Sequence, residues 1–394
     1  ISNLNKKKKY IMFDKERYKI KALQILSPIK PVDKNTIATK DFLLRARRSR
    51  ASYDLPLYYL VYFLFAELLD FENLGQFEKV AWSFPIDYKG RAFLIEFRKF
   101  GIGVFVQDIE RDEDDAAQIV KRINGAVKCA RPFFDNIAEE AVKASLLNVT
   151  NKNRELYQRY EYLLGLYEAE YEKYLSYKEE YSTIESGSVT TYKSLGFEYR
   201  KRSDWLAISC IEAFFSWTEH LFVHLAIVAQ GLSDGEELSK LIDSEWKVKY
   251  KKAIPDDTVE ANKFYDELLI VRQQLRNFVA HGAFGKDGNA FAFHSHTGAV
   301  PVMMSYKRRK NRFSLYGSLS FIEKDVIAFV QEFIDFLWKN FPAAMYYTQE
   351  LCLPTILTLA ADGTYNDASK DMESMKLFSD RLMSMMDDSA NMDW

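Results

Sequence analysis

With 394 residues, the chain has room for two or three domains and an ample buried core. A composition of 48% hydrophobic and 28% charged residues belongs to a folded globular protein and excludes a disordered one. The net charge of −2 excludes a global pull toward nucleic acid, so any such contact must come from local basic patches.

Cys129, Cys210 and Cys352 are odd in number and far apart, which fits a reducing, cytoplasmic setting better than a disulfide framework. The basic start, Lys6 to Lys9, is followed by no long apolar run and is not expected to be a signal peptide. Residues 1–40 are polar and broken by Pro28 and Pro31. Asp41 is placed to cap a helix from Phe42 that carries Arg45, Arg47, Arg48 and Arg50. Those arginines read as a solvated basic face or as a phosphate-tracking patch. Leu55 to Leu69 is almost wholly apolar, but it is short for a membrane span and contains Glu67; it predicts a buried core helix, with Pro56 suited to its start.

Residues 76–108 alternate as strands do. Val80 to Pro85, then Ala92 to Arg98 after a turn at Tyr88-Lys89-Gly90-Arg91, and finally Phe100 to Val106 predict three antiparallel strands. Gly101 and Gly103 lack the continuing glycine pattern of a dinucleotide loop and read as a strand bend. The acidic run Glu110 to Asp115 opens a helical region to about Tyr181, which Pro132 and the polar stretch 148–153 are expected to divide. Tyr160, Tyr167, Tyr174 and Tyr181 recur every seven residues, a short aromatic seam packing on the protein's own helices or on a second copy.

The small polar stretch 184–196 predicts a linker. Ser203 is placed to cap a helix from Asp204 to Gln230, ended by Gly231. Within its apolar run sit Glu212, Ser216, Glu219, His220 and His224. A second helix runs from about Val259 to His281. Strands are expected at 290–296 and 299–306, followed by the basic run Lys307-Arg308-Arg309-Lys310. Ser320 to Glu323 reads as a capping box for a helix reaching Asn340, and the Met-rich end as an amphipathic helix or a frayed tail. The expected fold is mainly α with a small antiparallel β part. It comprises an N-terminal α+β domain over 1–110, a helical hairpin or coiled-coil-like region over 111–185 and a linker over 186–202. A helical bundle with a β-hairpin insertion over 203–342 and a helical tail over 343–394 complete it.

The chemistry gathers at the end of the second of these helices. Arg276, Asn277 and His281 fall within about one and a half turns, with Asn277 and His281 on one face and Gly282 suited to the helix end. A guanidinium holds phosphate oxygens with a planar fork of donors, and an imidazole moves a proton near neutral pH. The pattern Arg276-Asn277-Phe278-Val279-Ala280-His281 before a glycine resembles the signature of the HEPN superfamily, over roughly 203–342. The resemblance implies a HEPN-like helical bundle and a metal-independent endoribonuclease of the toxin or antiviral-defence kind, a homodimer whose two motifs face each other. In that reading Arg276, Asn277 and His281 are catalytic, and Glu212 and Glu219 on the preceding helix support them. Arg272, Lys307, Arg308, Arg309 and Lys310 then bind RNA. No cofactor, metal or membrane is expected, and the N-terminal region is left to recognise a trigger or antitoxin partner. The resemblance equally implies a second outcome, a catalytically inactive HEPN domain that binds RNA or a nucleotide. Ala283 stands where the HEPN partners of nucleotidyltransferase antitoxins carry a tyrosine, which puts that pairing in doubt.

Two histidine pairs, His220 with His224 and His294 with His296, have metal-ligand spacing. The order His-Glu-x-x-His is absent, however, and no aspartate completes a ligand set. No phosphate-binding loop, nucleophile elbow or paired-cysteine zinc site is present.

Overall fold

The computed structural model describes residues 14–186, 189–255, 258–280, 291–296, 298–302 and 323–392. The fold is mostly helical with a small antiparallel sheet. It divides into two compact units, residues 1–144 with 379–394, and residues 145–378.

The first unit is built on a five-stranded antiparallel sheet. Its elements are α1 (Lys15–Leu26), β1 (Lys30–Pro31), α2 (Phe42–Arg45), β2 (Arg47–Arg48), α3 (Tyr58–Tyr62), β3 (Val80–Tyr88), β4 (Arg91–Arg98), β5 (Gly101–Val106) and α4 (Ile109–Lys143). Strand order is β1-β3-β4-β5-β2, so β2 is an edge. The three long strands follow the sequence expectation. Lys89 and Gly90 both take positive φ in the turn, as a tight hairpin requires. Strand β4 is central and buried on both faces. Phe93 and Ile95 join the main core with Ile119 and Ile123 of α4 and Ala22 and Leu26 of α1. Ala92 and Leu94 join a smaller cluster with Phe42, Ala46 and Phe105 on the other face. The apolar run after Pro56 forms α3 and continues as a π-helical stretch, Phe63–Leu68, whose Leu64, Phe65 and Leu68 are buried.

Pro132 does not divide α4, which runs unbroken for 35 residues. Ala126 and Ala130 before Pro132 and Phe133 after it all lie in the first unit's core, and that packing outweighs the one hydrogen bond a proline removes. The region 111–185 is therefore not one hairpin: α4 belongs to the first unit, and the next helix to the second.

The second unit contains β6 (Asn148–Val149), α5 (Asn153–Ser176), β7 (Tyr181–Ser186), β8 (Val189–Ser194), α6 (Leu195–Val228), α7 (Gly235–Ile242), α8 (Trp246–Ala253) and α9 (Val259–Ala280). It continues with β9 (Phe291–Ser295), β10 (Gly298–Val302), α10 (Glu323–Asn340), α11 (Pro342–Met345), β11 (Thr355–Ile356), α12 (Leu357–Ala361) and α13 (Thr364–Ala368). A last helix, α14 (Met372–Asn391), confirms a helical Met-rich end; its first turns count to this unit and the rest to the first. Residues 343–378 thus belong with the second unit rather than with a separate tail.

The expected linker is not one. Tyr181–Ser186 pairs antiparallel with Val189–Ser194, because aromatic and β-branched residues alternate on either side of the polar turn. Helix α6 begins at Leu195, where the Ser194 hydroxyl accepts the Phe197 N–H. Ser203 lies inside the helix and donates to the Arg200 carbonyl. At the far end Gly231 takes φ +69° as a helix-terminating glycine does.

Helix α6 is buried around most of its circumference because it is the axis of the unit. By length and composition it passes as a membrane span, yet most of its apolar window is buried in protein. The tyrosine seam packs internally: Tyr160 lies against Phe214 and Trp217 of α6, Tyr167 is also buried, and Tyr181 falls beyond the helix. The core around Trp217, Trp246, Tyr250 and Phe333 is strongly aromatic.

Candidate active site

Helix α9 forms because its sequence supplies both a cap and a stripe. The Thr258 hydroxyl accepts the Ala261 N–H at 3.2 Å. Ala261, Phe264, Leu268, Val271 and Leu275 recur three or four apart and are buried. Phe264 meets Phe329, Phe333 and Phe336 of α10 at ring distances of 5.1–5.3 Å. Arg276 and Asn277 fall in the last turn of α9. Their side chains, all of His281 and the basic run Lys307 to Lys310 lie outside the described residues, as does the Ser320 capping box.

One turn before the motif, α9 is fastened to two other helices through a single carboxylate. Glu219 Oε2 accepts from Arg272 Nη2 at 3.2 Å, and Glu219 Oε1 accepts from Lys249 Nζ of α8 at 3.0 Å. The Lys249 side chain is only 8% exposed and Glu219 is 34% exposed. A buried ammonium needs this partner, so the bridge sets where α9 lies against α6 and α8. Glu219 therefore does touch the motif helix. Arg272, one of the residues expected to bind RNA, is ion-paired with Glu219 through one guanidinium nitrogen. Glu212, two turns earlier on α6, is exposed and makes no ion pair among the described residues.

Lys249 was not anticipated. Trp246, Lys249, Tyr250 and Ala253 are all buried on one side of α8, so a lysine three residues after a tryptophan was the available signal.

The pair His220 and His224 is a structural relay. His220 Nε2 accepts the Lys152 backbone N–H at 2.9 Å, which leaves His224 Nε2, 3.1 Å away, as a donor to the same lone pair. His224 Nδ1 then accepts from the Thr355 hydroxyl at 3.0 Å. Burial lowers the pKa of both rings, and that of His224 is pushed down to about 3. Both are neutral at pH 7, and they join α6 to the start of α5 and to β11. Among the described residues, no three histidine, cysteine or acidic side chains gather to hold a metal. His294 lies in β9, where its side chain is outside the described residues, and His296 is exposed just beyond it.

No protein-family model, no curated protein and no solved structure matches the chain.

Proposed function

We propose that the chain is a metal-independent endoribonuclease of the HEPN kind, working as a homodimer in the cytoplasm as a toxin or antiviral-defence effector. A ribose 2′-hydroxyl attacks the adjacent phosphorus and the 5′-oxygen leaves, giving 2′,3′-cyclic phosphate and 5′-hydroxyl ends. The reaction needs a base, an acid and cationic donors on the non-bridging oxygens. Arg276 holds the phosphate, His281 moves a proton, and Asn277 orients the ring or a phosphate oxygen. One chain supplies one imidazole from its motif, so a second copy across a twofold axis completes the acid–base pair.

The observation that carries this reading is the placement of Arg276 and Asn277 in the last turn of a 22-residue helix, with the His281 position directly after it. The bridge of Glu219 to Lys249 and Arg272 supports it, since a positioned helix end is what such chemistry requires. The test is incubation of RNA in EDTA with the purified protein and with His281→Ala. The protein cleaves, leaving cyclic phosphate ends, and the variant is slower by about a hundredfold or more. Equal degradation by both, or by neither, overturns the reading.

A further inference from the structure

The first unit carries a second feature that the motif leaves unused. Residues 40–50 hold Lys40, Arg45, Arg47, Arg48 and Arg50 against the single carboxylate of Asp41, in a chain of net charge −2. Asp41 pairs with Arg45. Arg47 and Arg50 are exposed and form no ion pair among the described residues.

Arg48 is different, because it is planted on the edge of the sheet. Its side chain lies across β5 over Gly103, where a Cβ would meet Arg48 Cγ and Nε at 3.0 Å. Its guanidinium donates to the Phe100 carbonyl at 3.1 Å and to the Ile102 carbonyl at 2.6 Å. Among the described residues it is held by carbonyls and meets no carboxylate. The Tyr53 ring lies beside it, with the guanidinium carbon 5.2 Å from the ring centroid. Tyr53 is 81% exposed and Phe100, at the neighbouring turn, is 86% exposed. The backbone that presents Tyr53 is fixed in turn. Glu113 of α4 accepts from the Ser49 hydroxyl and from the N–H groups of Arg50 and Ala51.

We infer that this sheet edge is a binding platform for single-stranded RNA, with Tyr53 and Phe100 stacking on bases and Arg47 and Arg50 meeting phosphates. The assignment of RNA as the partner rests on the nuclease reading; the platform itself rests on its own geometry. Two large rings exposed on a rigid edge are an apolar liability that stacking bases satisfy, and stacking is tolerant of base identity. Arg48 backs one ring with a cation, which strengthens its attraction for an anionic strand. Unpaired arginines alongside supply the salt-dependent contact. An anionic membrane would also meet arginines and the exposed Leu44. A nucleotide strand, unlike a headgroup layer, also presents flat base faces on which a tyrosine ring held against a fixed guanidinium can stack.

The test uses the full chain and a fluorescent 2′-O-methyl uridine oligonucleotide, which cannot be cut by 2′-hydroxyl attack, so binding is read apart from cleavage. Anisotropy in EDTA gives binding that weakens with salt. Tyr53→Ala lowers affinity about tenfold, as loss of one stacking partner does. Arg47→Glu with Arg50→Glu lowers it further and flattens the salt dependence. All three positions are exposed, and circular dichroism verifies folding. Tyr53-dependent binding without any cleavage leaves the platform standing and removes the nuclease. Unchanged affinity in these variants, no binding by the parent, or capture by phosphatidylserine vesicles in place of the oligonucleotide overturns the proposal.

Discussion

Two clusters of positive charge, one in each unit, are handled in opposite ways, although elsewhere in the first unit Arg91 and Arg98 are paired with carboxylates. In the second, Lys249 and Arg272 converge on Glu219, and the polar groups inside the aromatic core find partners of their own, Trp217 on Gln349 and Trp246 on Thr218. In the first, Arg48 is held by two carbonyls, and Arg47 and Arg50 face solvent with no carboxylate partner among the described residues. The contrast teaches that a cation's availability depends on what faces it and not on how basic its stretch of chain is. Arg272 sits one turn before Arg276 and Asn277 and is engaged. Arg47 and Arg50 are far from the motif in sequence and form no ion pair among the described residues.

Breaking that contrast is the strictest test of it. Arg276→Ala should reduce RNA cleavage by roughly a hundredfold to a thousandfold, the loss expected when a transition-state donor is removed. Arg47→Ala should leave the rate at saturating RNA unchanged and alter only the RNA concentration needed. A single-turnover series over RNA concentration separates the two, and a parallel loss of maximal rate in Arg47→Ala would contradict the division of roles.

Next in size is the carboxylate bridge. Glu219→Ala leaves the Lys249 ammonium buried and uncompensated and should cost roughly 3 kcal/mol, the low end for a broken buried pair because Glu219 is partly exposed. Glu219→Gln keeps the shape and one acceptor oxygen and should cost less. Arg50→Ala in the first unit should stay within about 0.5 kcal/mol, as exposed substitutions do. Chemical denaturation measures all three, and equal losses would mean that Lys249 does not depend on the bridge. Trp217→Phe comes after these. It leaves the nearly buried Gln349 side chain without its donor and should cost about 2 kcal/mol.

The histidine relay sharpens the comparison through pH. His224 has an ordinary pKa of 6.5 and is pushed down to about 3 in the folded protein. Between those values the unfolded chain binds the proton and the folded one does not, so stability falls as pH drops below 6.5. The slope from this residue reaches at most about 1.4 kcal/mol per pH unit. His220, also lowered, acts in the same direction. Melting temperatures between pH 7 and 5 should therefore drop in the parent and drop less in His224→Gln. An identical pH dependence in the two proteins would show that the ring is not held neutral.

These outcomes also bear on what the residues disclosed before any coordinates. The strands from Val80 to Val106 were legible because alternation and a turn with Lys89-Gly90 agree. The core of α9 was legible in part, from the helical spacing of Leu268, Val271 and Leu275, while Phe264 was missed. The start of α6 was not, because Ser194 and Ser203 are both adequate caps and only the packing of the preceding hairpin selects the first. The division of the helical region was misread at Pro132 because a local penalty of a few kcal/mol is smaller than the burial along α4. At the candidate site, Glu219 was legible as a polar break in an apolar helix. That it serves Lys249 as well as α9 was not, since the two lie 30 residues apart and meet only through the packing of α8.

Gly103 gives the smallest effect and the most local one. Unlike Gly101, whose φ of +105° only glycine adopts readily, Gly103 has an ordinary strand conformation, and alanine is allowed there by the backbone. What opposes alanine is contact: its Cβ would press on Arg48 Cγ and Nε and on the Phe105 ring, all at 3.0 Å. Those neighbours must yield by a few tenths of an ångström, at a cost of about 1 kcal/mol. The Arg48 stem, on the strand edge, yields more easily than the buried Phe105, so the guanidinium should lift from the Phe100 and Ile102 carbonyls and lose its place beside Tyr53. Gly103→Ala is thus expected to melt slightly below the parent and to bind the 2′-O-methyl oligonucleotide more weakly, though no charge or aromatic ring has been removed. Weaker binding at nearly parental stability would tie the availability of the first unit's cations to the seating of one side chain; parental affinity would mean that Tyr53 needs no such backing.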